Sequence, residues 1–302
     1  MTMTRTAILH ADDVGMCHGA NAAFIALARA GAIDCGSLMV PSPWFAEIAH
    51  AAAADPALDL GVHLTLTSEW IGYRWGPVGV RSAAAGLMDG EGAFHRDVPS
   101  LRRNADPRAV EEECTAQIER ALACGVDPTH LDTHMGAALA PEFLAGTLRL
   151  AERFRLPLLL PRRIETYLGV LRMGEVDARP FADAARHPWV APIDRFAMTP
   201  GHAPGGADAA YRHLLEGVEA GVTYVALHPN EPGDIEAITA HHPRAQPHWR
   251  TDEAALFGSG RPSQWLAEAG IGRRGMRPYR DAMRTENGDP HTRETRSAIK
   301  LK

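Results

Sequence analysis

The sequence predicts an α/β fold of mostly parallel strands closing into an irregular (β/α) barrel. Short apolar runs alternate with helix-patterned segments along most of the chain. Four clusters of polar residues follow such runs, the place where parallel α/β folds carry their sites. The 302 residues, 45 % apolar and 23 % charged, are enough for one large core.

Thr6–Leu9 reads as the first strand, followed by a polar turn and a helix from Ala20 to Ala30. Ser37–Val40 is the second, stopped by Pro41-Ser42-Pro43. Trp44–Ala54 is helical, Leu58–Leu66 is the third strand, and 68–105 is a long excursion rich in Gly, Arg and aromatics. An amphipathic helix follows over Pro107–Ala123 with Asp106 as its N-cap. Pro128–Asp132 is a strand, Pro141–Phe154 a helix and Pro157–Leu160 another strand, whereas 162–205 yields no readable element. Asp208–Ala220 is a helix and Tyr224–Leu227 a buried strand. A Pro/His-rich loop fills 229–250, then come helices over 251–257 and 263–269 and a short strand over Met276–Tyr279. No linker or repeat divides the chain, so residues 1–284 are expected to form a single catalytic barrel domain. Residues 285–302, polar and without an apolar period, are expected to be a disordered tail.

Composition narrows the function classes. A formal charge of -6 gives no electrostatic footprint for nucleic acid or an anionic membrane surface. No apolar stretch approaches the about 18 residues of a membrane span, and Ala7-Ile8-Leu9 is too short for a signal peptide. The expectation is therefore a cytoplasmic protein acting on a small, weakly polar partner, with a homodimer as the assembly to test. Cys17, Cys35, Cys114 and Cys124 form no CxxC pair and read as buried or idle thiols.

The clusters are His10-Ala11-Asp12-Asp13, Gly61-Val62-His63, His130-Leu131-Asp132-Thr133-His134 and His228-Pro229-Asn230. Each alone has a plainer explanation, because a carboxylate at a strand end often caps a helix. Four at one rim are hard to explain that way. Two imidazoles and a carboxylate make a frequent catalytic metal shell, since three protein ligands leave a position open for water. His63 and His134 are the natural nitrogen donors, and one of Asp12 and Asp13 the oxygen donor. Successive side chains alternate on an extended chain, so the other faces the water at the open position. A cation lowers the pKa of water from ~15.7 toward 7, within reach of a carboxylate base. Asp132 is a candidate for fixing an imidazole tautomer, with a turn-forming role as the competing reading. Pro229 holds His228 extended at a strand end, where it could protonate a leaving amine.

These residues resemble the YdjC/ChbG-like carbohydrate deacetylases, whose pattern is A-D-D-F-G at the first strand, G-x-H in the third, H-L-D-S-H after the fourth, and a late H-P. Here the positions are Ala11-Asp12-Asp13-Val14-Gly15, Gly61-Val62-His63, His130-Leu131-Asp132-Thr133-His134 and His228-Pro229, in matching order over residues 7 to 282. The resemblance implies a distorted TIM-like barrel, metal ligands Asp13, His63 and His134, Asp12 as general base, and His228 near the site. It further implies removal of an N-acetyl group from an amino sugar or short oligosaccharide. Val14, Met135-Gly136 and Asn230 depart from the pattern without touching a ligand.

Trp44, Trp70, Tyr73 and Trp75, in or near loops above the strand ends, are candidate sugar-stacking rings, with Glu69 and Arg74 as polar contacts, and Arg162 follows a strand closely enough to reach the site. His241, His242 and His248 read as a solvated lid rather than a second metal set. One divalent ion is expected, zinc on ligand type, with magnesium or manganese allowed by an oxygen-rich, wet site. Another barrel hydrolase, acting on a phosphoester or a non-sugar amide, is the alternative; such a phosphoesterase would more often show a second carboxylate-rich metal set. A non-catalytic carbohydrate-binding protein would have no use for both Asp12 and Asp13.

Overall fold

The central strand, β1 (Arg5–Val14), is an apolar run whose Ala7, Ile8 and Leu9 are fully buried, as a strand covered on both faces requires. In the computed structural model, which describes residues 4–79, 81–171, 173, 176–200, 207–241 and 248–288, it is joined by β2 (Cys35–Leu38), β3 (Leu60–Leu64), β4 (Leu131–Thr133), β5 (Arg195–Met198), β6 (Gly221–Leu227) and β7 (Gly272–Arg273). The order is β4-β3-β2-β1-β6-β5, all parallel, with β7 alongside the start of β1. Parallel bridges from Leu131 to Leu158 and from Leu158 to Val190 carry the sheet on toward β5. The result is the distorted TIM-like barrel, with one apolar core running from Ala7 to Met283.

Several elements fall where expected. Helix Pro107–Ala123 has the anticipated ends, and Asp106 caps it by accepting from Arg108 N and Ala109 N at 2.8 and 3.1 Å. Its buried Gln117 brackets Thr65, accepting from that residue's N–H and donating to its carbonyl. This fixes the chain just beyond His63. Free cysteines, three of them buried, match the expectation of idle thiols.

Others differ. The segment 157–160 makes single bridges only, and β5 arises inside the stretch that gave no readable element. Met276–Tyr279 is no strand: helix Arg277–Gly288 begins there, with Pro278 in its first turn, where its missing N–H costs nothing. The same helix passes the expected tail boundary after Arg284, because Met283 and Asn287 are buried against the barrel. The remainder of the expected tail lies outside the described residues. Among the described residues, no helix is long and apolar enough to cross a membrane.

Parallel pairing sets the strand ends side by side. His63 pairs with Asp132, Ala11 with Leu227, and Met198 with Ala226. The polar clusters are thereby delivered to one rim.

Candidate metal centre at the barrel rim

At that rim β1 departs from regular geometry. Its pairing with β2 is irregular between Ala11 and Val14, Asp13 has φ of 60°, and Met16 N–H closes a turn onto the Asp13 carbonyl. The left-handed region costs little for aspartate and is tolerated next to Gly15, whose φ is 93°. This kink removes the alternation expected of an extended Asp12-Asp13 pair. Both carboxylates end up near His63, Asp13 grouped with His134 and Asp12 with Asp132.

Asp13, His63 and His134 converge, their donor atoms all within 4.8 Å of one another. Asp13 Oδ1 lies 3.0 Å from His134 Nδ1 and 3.7 Å from His63 Nε2, is buried, and makes no hydrogen bond with either. Donor atoms that crowd together in this way, with no aligned hydrogen bond to Asp13 Oδ1, suit a shared cation.

The far nitrogen of each imidazole is tied to a carboxylate. His63 Nδ1 donates to Asp132 Oδ1 at 2.9 Å, and His134 Nε2 donates to Glu69 Oε2 at 3.0 Å. Such partners fix the tautomer and leave the other nitrogen free to ligate. Asp132 is in turn held by the hydroxyls of Ser37, at 2.9 Å, and Tyr224, at 3.2 Å. Burial works against charge on these rings, but Glu69 and Asp13 push His134 up to about 10, and Asp132 raises His63. Burial likewise opposes the charge on Asp13, yet His134, Arg250 and His228 hold its carboxyl well below the usual range.

Asp12 sits beside this centre. His10 Nδ1 contacts its Oδ1 at 2.7 Å, and its Oδ2 faces His228 Nε2 across 3.9 Å. His228 Nδ1 contacts Thr199 Oγ1 at 3.1 Å, and Thr199 donates to Glu253 at 2.8 Å. Glu253 also accepts from the Tyr211 hydroxyl and from the His228 backbone N–H. Burial and Arg250 push His228 down to about 4, well below the near-neutral value expected from its residue type.

A cavity of about 630 Å³ opens over these groups, lined by Asp12, Asp13, His63, Asp132, His134 and His228. Glu69 also lines it, but as the partner of His134. Trp70 lines it too, whereas the other expected sugar contacts do not, although Trp75 packs edge-on against the His134 ring with centroids 6.3 Å apart. Trp44, an exposed residue, packs on His18; Tyr73 donates to the Met16 carbonyl; Arg74 is paired with Asp89 and Glu91. Trp75 is buried, with Nε1 donating to the Thr67 carbonyl, and Arg162 pairs with Asp194. His241 does not line the cavity, and the side chains of His242 and His248 lie outside the described residues.

The structure adds residues that the motifs did not single out. Arg250 lines the cavity and donates to Asp13 Oδ2 at 3.1 Å, with its guanidinium over Trp249 at 4.6 Å and over Trp70 at 5.9 Å. No short pattern surrounds it; the adjacent Trp249 was the one visible signal. Ser37, Thr199 and Glu253 act through other side chains, which spacing does not reveal.

The rim of this parallel α/β barrel gathers two imidazoles and a carboxylate that could hold a metal ion, with a second carboxylate alongside. Residues 6–268 match the YdjC-like protein family, and the chain is a member of it. It is 34 % identical over 258 residues to a carbohydrate deacetylase of Thermus thermophilus, covering 85 % of this chain and 87 % of that protein. A carbohydrate deacetylase of Brevibacillus brevis is 34 % identical over 154 residues, 51 % of this chain and 58 % of that protein. The fold matches a crystal structure of an Enterococcus faecalis protein described as a cellobiose-phosphate cleavage protein, with a TM-score of 0.71 and 23 % identity. That match covers 90 % of this chain and 98 % of the other.

Proposed function

We propose that the chain is a metal-dependent hydrolase that removes an N-acetyl group from an amino sugar or short oligosaccharide. The observation that carries this reading is the buried, unbonded Asp13 Oδ1 facing His63 Nε2 and His134 Nδ1, with Asp12 beside them. The names of the similar proteins, carbohydrate deacetylases, support the substrate class.

Asp13, His63 and His134 would hold one divalent ion, zinc on ligand type with magnesium or manganese as alternatives. When bound, it supplies a Lewis acid that polarises the acyl carbonyl and acidifies water. The chain's own groups then move the protons. Asp12 presents Oδ2 to the cavity and takes a proton from the attacking water. The Thr199 hydroxyl hydrogen is used on Glu253, so His228 Nδ1–H donates to Thr199 and Nε2 carries its lone pair toward Asp12. With its pKa near 4, His228 starts neutral. It therefore receives the proton released at Asp12 and delivers it to the departing nitrogen, rather than arriving charged.

The test is incubation of cation-loaded protein with a panel of N-acetylated mono- and oligosaccharides, with assay of free acetate. Acetate release abolished by a chelator is the expected result. No acetate from any member, with phosphate released from a phosphoester panel, would overturn the reading.

A further inference from the structure

The geometry points to His10 as a positioning residue for Asp12, donating through Nδ1 to Oδ1 so that only Oδ2 is left to take a proton. This rests on the reading of Asp12 as the base. His10 is fully buried, packed against the Tyr224 ring with centroids 4.7 Å apart, and touches three polar partners. Nδ1 is 2.7 Å from Asp12 Oδ1, Nε2 is 3.0 Å from His130 Nε2, and Nε2 is 3.7 Å from Asp132 Oδ2.

Hydrogen counting along this buried row fixes the direction of each bond. The Thr129 hydroxyl donates to Asp59 Oδ1 at 2.6 Å, so at its 3.0 Å contact with His130 Nδ1 it accepts, and the ring donates. Burial and His10 hold His130 neutral, leaving its Nε2 without a hydrogen. His130 Nε2 therefore accepts from His10 Nε2–H. With that nitrogen used, the 2.7 Å contact to a carboxylate oxygen needs a hydrogen on His10 Nδ1, between the flanking carboxylates of Asp12 and Asp132. Residues 10 and 12 share a face of the strand, which makes the contact local, while Gly61 leaves room for the His130 ring that backs it. A Cβ at position 61 would sit 2.6 Å from that ring.

Two measurements on the full-length protein test this. In metal-free protein with ¹⁵N-labelled histidine, the His10 resonances, assigned by their loss in His10→Asn, should show a hydrogen bonded to Nδ1. An unprotonated Nδ1 overturns the inference. In kinetics on the cation-loaded protein, His10→Leu should lower kcat about 10- to 100-fold with KM and cation affinity unchanged. His10→Asn should recover most of the loss, since its Nδ2–H reaches Oδ1 although it cannot reach His130. The Asn variant, alone against the parent, keeps the test alive if the Leu variant fails to fold. An Asn variant as slow as the Leu variant, or cation loss in both, overturns the inference. If the parent releases no acetate at all, the deacetylase reading fails while the Nδ1 measurement still decides the hydrogen bond.

Discussion

Arg250 donates to Asp13 Oδ2 at 3.1 Å although 237 positions separate the two residues. The contact occupies one oxygen of the kinked aspartate and leaves Oδ1 turned to His63 and His134. In the proposed role Arg250 orients Asp13 so that Oδ1 is kept for the ion. Arg250→Met should weaken divalent-ion affinity about 10- to 100-fold, as loss of a partner to a ligand does. Calorimetric titration of the metal-free variant checks this; unchanged affinity would confine Arg250 to packing against Trp70 and Trp249.

Cation binding should release protons. Without metal, Glu69 and Asp13 outweigh burial and hold His134 protonated up to about pH 10. That proton stabilises the metal-free fold fully below the ordinary histidine value of 6.5 and is lost as pH rises through 10. A metal ion must displace it, so apparent affinity should rise with pH across this interval. Titrations in buffers of different ionisation enthalpy count the protons released; no pH dependence between neutrality and pH 9 would contradict the assignment of His134 as a ligand.

His228→Asn should keep the cation and lose about 10²–10⁴ in turnover, the range for one proton-transfer group. Metal analysis and kcat on the same preparation give both numbers. Cation loss would make His228 a ligand, and unchanged kcat would leave it to its bonds with Thr199 and Glu253.

Gly61→Ala places a Cβ 2.6 Å from the buried His130 imidazole, so that ring or backbone must shift. Overpacking of this kind costs about 1–3 kcal/mol, measurable by chemical denaturation. A variant as stable as the parent would show that the His130 ring is free to move.

The sequence carried the rim clusters because parallel strands put chemistry at their ends, and apolar runs such as Ala7-Ile8-Leu9 mark the strands plainly. β5 is hard to read because its short run Phe196-Ala197-Met198 lies among scattered Pro and Arg and is only partly buried. Asp13 and Asp12 were read as diverging by strand alternation, and the left-handed turn at Asp13 that brings both to His63 has no signature beyond Gly15. Of the aromatic candidates Trp70 lines the cavity, whereas Tyr73 and Trp75 in the long excursion are held by backbone hydrogen bonds and Trp44, at the start of a helix, packs on His18. Arg250 is brought to Asp13 by tertiary structure alone, which no local pattern encodes.

Asp13→Asn and Asp12→Asn, purified side by side and assayed for bound cation and acetate release, test the central claim most directly. Asparagine tolerates the left-handed backbone of residue 13, so the first change removes charge without disturbing the turn. Asp13→Asn should lose the cation, whereas Asp12→Asn should hold it as the parent does and turn over far more slowly, with no recovery on adding metal. Cation lost from Asp12→Asn and kept by Asp13→Asn would reverse the two roles, and full activity in both would contradict the account.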